Sequence, residues 1–169
     1  MMFNKIKPEE IVRNPFILFN KDWALLTGGT PENCNPMTVS WGGVGILWNK
    51  PVATVYVRPQ RYTYGFMEEC ETFTLSFFKE GEGRDALVYC GKYSGRDGDK
   101  AAACGLTVCD LDGGAGFEEA ELILVCKTKY KDDLKEELFL DHEICDLDYP
   151  KKDFHRMYIA EIVGAYKKA

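Results

Sequence analysis

The chain has 169 residues, 46% of them hydrophobic and 13% aromatic, enough apolar material to bury a sizeable core in one domain, residues 1–169, without disulfide staples. Its formal net charge is −6, with acids and bases interspersed along the sequence, which disfavours nucleic-acid binding. The N-terminal run Met-Met-Phe-Asn-Lys-Ile-Lys-Pro has neither a long apolar stretch nor a small-residue cleavage site, and no segment approaches the ~20 apolar residues of a membrane span, so a cytoplasmic protein without membrane association is expected.

In chain order, the pattern predicts a short helix over Pro8 to Arg13, with proline in the first turn, and then closely spaced strands. Phe16 to Phe19 and Trp23 to Thr27 read as the first two strands, followed by a turn-rich loop from Gly28 to Asn33. Thr38 to Trp48 reads as one long strand bent at Gly42, Gly43 and Gly45, where a barrel bend or the close approach of a ligand would use glycine. Val52 to Val57 is apolar and β-branched enough for a buried strand; Tyr62 to Cys70 reads as helix and Phe73 to Phe78 as strand. Arg84 to Cys104 favours short helices separated by the polar loop Ser94 to Lys100, and Ala120 to Tyr130 and Met157 to Tyr166 complete the sheet. Strands without regular βα alternation argue against a doubly wound nucleotide fold, and there is no Gly-x-Gly-x-x-Gly and no Walker A lysine.

Seven cysteines (Cys34, Cys70, Cys90, Cys104, Cys109, Cys126, Cys145) form an odd, irregularly spaced set with no Cys-x-x-Cys pair, so reduced thiols are expected. Cys104 and Cys109 are close enough for a metal loop, but no second pair or nearby histidine completes a tetrahedral set, and no metal is expected. Nor is there a Gly-x-Ser-x-Gly elbow or a clear Cys/His couple.

The most informative stretch runs from Asn35 to Thr63. A hydroxyl-bearing strand (Met37, Thr38, Val39, Ser40, Trp41) is followed by a second strand ending in Arg58, Pro59, Gln60, Arg61, Tyr62, Thr63. Two guanidiniums at the end of a buried-looking strand cost side-chain entropy and desolvation unless they meet an anion, and arginine's planar fork fits phosphate. A helix opening near Thr63 would add N–H donors and positive dipole; without a ligand, the same residues are solvated strand-end cations and an ordinary N-cap. Strand alternation puts Thr38 and Ser40 on one face and Val39 and Trp41 on the other, and an apolar strand context favours core packing for Trp41.

Through these residues the chain resembles the flavin reductase-like family of FMN-binding split barrels, from about Asn14 to Val163. The resemblance implies a mainly β protein with short helices, a split β-barrel, that binds FMN noncovalently through Asn35, Met37, Thr38, Val39, Ser40, Trp41, Arg58, Arg61, Tyr62 and Thr63. Main-chain groups along Met37 to Trp41 would address the flavin's polar edge, and the hydroxyls its ribityl chain or phosphate. The loop Ser94 to Lys100 resembles a family segment lying across a dimer interface near the cofactor, which adds Ser94, Arg96 and Lys100; taken alone, it is a turn and a helix start capped by Asp97 or Asp99. His155 to Val163 resembles the family's C-terminal strand, with Ala160 where glycine is usual. His155 would then position the electron donor; taken alone, it is a strand-start surface histidine.

The implied activity is an FMN-dependent oxidoreductase, a homodimer in which hydride from NADH or NADPH reaches flavin N5 and passes to flavin or another small-molecule or protein acceptor. An FMN-bound electron carrier without intrinsic nicotinamide activity is the alternative. A non-flavin ligand protein or thiol-based sensor, drawing on the cysteine count, is a third reading.

Overall fold

The computed structural model describes residues 2–169. Among the described residues there are ten strands: β1 Phe3–Ile6, β2 Ala24–Thr30, β3 Asn33–Val39, β4 Gly42–Leu47, β5 Lys50–Val57, β6 Thr72–Phe77, β7 Val108–Leu111, β8 Gly114–Phe117, β9 Leu122–Asp133 and β10 Arg156–Lys168. Five short α-helices lie between them: α1 Pro15–Ile17, α2 Thr63–Glu69, α3 Arg84–Lys92, α4 Lys100–Ala103 and α5 His142–Asp148. The protein is thus mainly β with short helices, as expected.

The antiparallel sheet runs β3-β2-β6-β9-β10-β5-β4, with β1 on the far half of β10 and β7-β8 as a separate hairpin. β3 and β4 are opposite edges of this sheet, yet only Ser40 and Trp41 separate them in the chain. The three Cα steps from Val39 to Gly42 reach at most roughly 11 Å, so the sheet must curl until its two edges meet at that corner. They meet there without pairing, which leaves the barrel split. The long strand β10 carries the curl, with register shifts between Ile159/Ala160 and Ile162/Gly164 against β9 that bend it. Inside sits a core that includes Leu26, Met37, Val55, Phe73, Leu75, Phe77, Leu124 and Tyr158.

Several sequence expectations give way to local chemistry. The expected single strand from Thr38 to Trp48 is two strands on different neighbours, broken at Ser40 and Trp41. Gly42 is needed at this corner, because a Cβ there would lie 2.6 Å from the Thr54 carbonyl and 2.7 Å from the Phe19 ring. Phe16 to Phe19 is helical rather than extended: the Asn14 side chain accepts from the Phe16 amide, Pro15 occupies the first helical position, and α1 runs into a π turn at Leu18–Asp22. Pro8–Glu10 makes only one 3-10 turn; Ile11 is extended, and Arg13 reaches away to Asp22, Glu121 and the Phe78 carbonyl. The glycines read as loop, Gly28 and Gly29, lie inside β2, where α2 packs so closely that a Cβ on Gly28 would come within 2.9 Å of Phe66. No helix among the described residues is long and apolar enough to cross a membrane.

Candidate functional site

The corner between β3 and β4 opens a cavity of about 200 Å³ lined by Met37, Thr38, Val39, Ser40, Trp41, Tyr56, Arg58, Arg61 and His155. Topology explains the convergence: the end of β3, the end of β5 and the start of β10 all reach the split of the barrel. Trp41 is 46% exposed and its ring centroid lies 5.2 Å from that of His155, so it forms a wall of this cavity and is not the core residue its apolar strand context predicts. The strand stops at Val39, and alternation no longer governs where Trp41 goes.

Behind Thr38 and Arg61 lies the C-terminal half of α3. A helix leaves its last carbonyls without intrahelical partners, and here the site residues supply them. The Thr38 hydroxyl donates to the Leu87 carbonyl, which lies farther back in the helix. Arg61 donates to the carbonyls of Gly91 (2.8 Å) and Cys90 (3.0 Å), and the Lys100 ammonium reaches the same Cys90 oxygen at 3.4 Å. Arg61 and Lys100 therefore hold two cationic heads on one carbonyl. Lys100 is only 4% exposed, and neither cation has a carboxylate partner among the described residues. Burial pushes the Lys100 ammonium down to about 8, with Arg61 adding to the shift and the Cys90 sulfur opposing it. Burial likewise lowers Arg61.

Arg58 stands in a different electrostatic state. It pairs with Asp153 at 2.6 Å, donates to the Asp148 carbonyl at 2.8 Å, and lies 5.0 Å over the Tyr149 ring. His155 is 9% exposed, so it is not a surface histidine, and its Nδ1 lies 2.8 Å from the Tyr149 hydroxyl. Burial pushes the imidazole down to about 4, Arg58 adds to the shift, and Asp153 and Asp148 oppose it. The ring is neutral at pH 7.

Other candidates gather beside a second cavity of about 300 Å³ lined by residues including Asn35, Tyr62, Gly95 and Lys100. Thr63 is 1% exposed, its hydroxyl accepts from the Asn35 amide at 2.6 Å, and it lines neither cavity; it opens α2 without acting as a side-chain N-cap. Gly95 presses on Asn35 so tightly that a Cβ would meet its Oδ1 at 1.8 Å. Ser94 accepts from the Arg96 amide, and Arg96 is an exposed cation lying 5.1 Å over Tyr62 and donating to the Gln60 carbonyl. Asp99, not Asp97, caps α4 through the Ala102 amide. Two site residues escaped the sequence reading. Tyr56 had a signal, since it shares a strand face with Arg58 two residues on; Tyr149, brought in by α5, had none.

All seven cysteines are free, and every one whose acidity is shifted is pushed up, chiefly by burial, with Cys90 at about 12 and Cys34 and Cys109 at about 11. A reactive thiol needs the reverse, which weighs against a thiol sensor. No group of three or more metal-ligating side chains occurs among the described residues.

A split antiparallel barrel with an arginine-bearing, aromatic-walled cleft at its open seam places the chain in the class of split β-barrel proteins. Residues 18–168 match the flavin reductase like domain, and the chain belongs to that family. No curated protein matches it in sequence. Among solved structures it is similar to an FMN-binding domain of a flavin reductases-like enzyme from Shewanella baltica, at 18% identity and TM-score 0.67 over 98% of this chain and 77% of that one. It is also similar to flavoredoxin from Methanosarcina acetivorans (23%, TM-score 0.64, 98% and 76%) and to an FMN-binding protein from Thermus thermophilus with bound p-hydroxybenzaldehyde (20%, TM-score 0.65, 96% and 78%).

Proposed function

We propose that the protein binds FMN noncovalently at the seam and serves as an oxidoreductase that takes electrons from NADH or NADPH. The observation carrying this reading is the pair Arg61 and Lys100, two largely buried cations on one carbonyl with no carboxylate partner among the described residues, Arg61 lining the cleft walled by Met37 to Trp41 and Lys100 the neighbouring second cavity. Burying like charges together is costly unless an anion joins them, and a flavin phosphate is such an anion. Arg61 and Lys100 would hold the phosphate, main-chain groups from Met37 to Trp41 would address the ring system, and His155 with Trp41 would position the donor. When bound, FMN supplies the hydride and electron chemistry, and the protein supplies binding, orientation and electrostatics.

Family membership and the FMN-binding proteins of like fold support the cofactor. The likeness to flavoredoxin favours a second reading, an FMN-bound carrier that exchanges electrons with protein partners. Stopped-flow mixing of FMN-loaded protein with NADH and NADPH separates them: flavin bleaching within catalytic times marks the enzyme, and its absence with both nucleotides marks the carrier. A colourless protein that ignores added FMN would sink both. We further place the protein in the cytoplasm, in keeping with its seven unpaired cysteines, and in a homodimer, in keeping with the exposed apolar side chains Phe16, Ile46, Leu47 and Trp48.

A further inference from the structure

The Tyr149 hydroxyl and His155 Nδ1 meet at 2.8 Å, and both side chains are buried. His155 is the only partner of that hydroxyl among the described residues. A buried phenol with a single partner donates to it, since its proton has no other acceptor. Nδ1 therefore accepts, and a neutral imidazole then carries its proton on Nε2. Nε2 makes no hydrogen bond to another described residue, and His155 lines the cleft beside Trp41 and Tyr56. The phenol is itself held in place: its ring stacks on Phe154 at 4.8 Å, lies 5.9 Å from Phe139, and carries the Arg58 guanidinium at 5.0 Å.

We propose that Tyr149 is a positioning residue that locks His155 in its Nε2–H tautomer, giving the cleft a fixed, neutral donor for a carbonyl oxygen on the planar molecule that exchanges electrons there. A neutral N–H suits a neutral acceptor better than a carboxylate, for which a cation would be the stronger partner. The aromatic walls Trp41 and Tyr56 suit a flat conjugated one. A nicotinamide carboxamide and a conjugated aldehyde or ketone present the same oxygen. The naming of this ligand class rests on the redox reading above; the tautomer does not.

The chain has two histidines, so long-range ¹H–¹⁵N spectra of the full-length protein resolve His155 from His142. At neutral pH, His155 Nδ1 is expected in the pyridine-type range and Nε2 in the pyrrole-type range; a pyrrole-type Nδ1 overturns the proposal. Tyr149→Phe keeps the ring packing and removes only the donor. Both nitrogens should then move to averaged shifts, and the His155 titration midpoint should rise, because the neutral form loses its hydrogen bond. Arg58, Asp153 and Asp148, the charged groups around the ring, are untouched by this change. Shifts and midpoint identical to wild type would refute the positioning role. With FMN-loaded protein, nicotinamide and benzaldehyde serve as probes of the two carbonyl sources. The true class should perturb Nε2–H and bind about 3- to 10-fold more weakly to Tyr149→Phe; if neither does, the carbonyl assignment fails. Failure to bind FMN would remove the redox reading while the nitrogen shifts still decide the tautomer.

Discussion

Arg58 and Arg61 are close in sequence and carry the same charge, yet the protein treats them differently. Asp153 neutralises Arg58, whereas Arg61 faces only carbonyls. Arg61→Ala should therefore weaken FMN by about 1.5–3 kcal/mol, one to two decades, and riboflavin far less; Arg58→Ala should have the smaller effect on the FMN-to-riboflavin ratio. Fluorescence titration of both flavins decides it, and an Arg61→Ala variant that binds FMN like wild type would overturn the phosphate assignment. Lys100 adds a pH signature. Its ammonium titrates near 8 in the free protein, and a phosphate beside it would raise that value, so binding takes up a proton above pH 8. FMN affinity should fall as pH rises past about 8, by up to about tenfold per unit, while riboflavin affinity stays flat. His155 works in the other direction. Its folded value, about 4, lies below the ordinary 6.5, so the unfolded chain takes the proton first on acidification. Stability should decline between about pH 6.5 and about pH 4, by up to about 3 kcal/mol in urea unfolding. That Thr38, Ser40, Arg58 and Arg61 gather at one cleft was legible because arginines at the end of a buried strand carry a recognisable cost. Their division of labour was not, because Asp153 and the end of α3 meet them only in three dimensions.

Among the elements, α3 and the seam corner matter most to the site. Main-chain carbonyls of α3 hold Thr38, Arg61 and Lys100 in place, so the helix orients this side of the cleft without itself touching it at any of its own side chains. Gly42→Ala tests the corner. The added Cβ would press on the Thr54 carbonyl and the Phe19 ring, and the expected loss is about 1–3 kcal/mol, read as a lower urea midpoint with an unchanged slope. An unchanged midpoint would mean the corner yields at no cost. Strand periodicity was legible where a strand is buried along its length, as in β5, β6 and the main run of β9. It failed at Phe16 to Phe19, where the Asn14 cap and Pro15 outweigh a short apolar run. It also failed at β1, the β7-β8 hairpin and α5, which are too short or too polar to stand out from loop. The continuous reading of Thr38 to Trp48 failed because alternation does not reveal that a strand changes neighbours.

For the whole molecule, assembly is the open expectation. Light scattering should return about twice the 19.2 kDa chain mass, and Ile46→Glu, on the exposed face of β4, should shift the population toward monomer. A flavin-loaded monomer at micromolar concentration would sink the dimer. The order of the sheet has a further consequence for how the protein is made. β10 is the strand that joins β6 and β9 to β5 and β4, and its last residues also pair with β1 at the opposite end of the chain. Without it, the two halves of the sheet share no ladder, and His155 has no frame. During synthesis, then, β2, β3 and β6 can pair as they emerge, but the seam cannot form until β10 has been made and joins the two halves. Such long-range pairing is slow to close. A chain halted before Arg156 would therefore expose the inner face of two unjoined sheets.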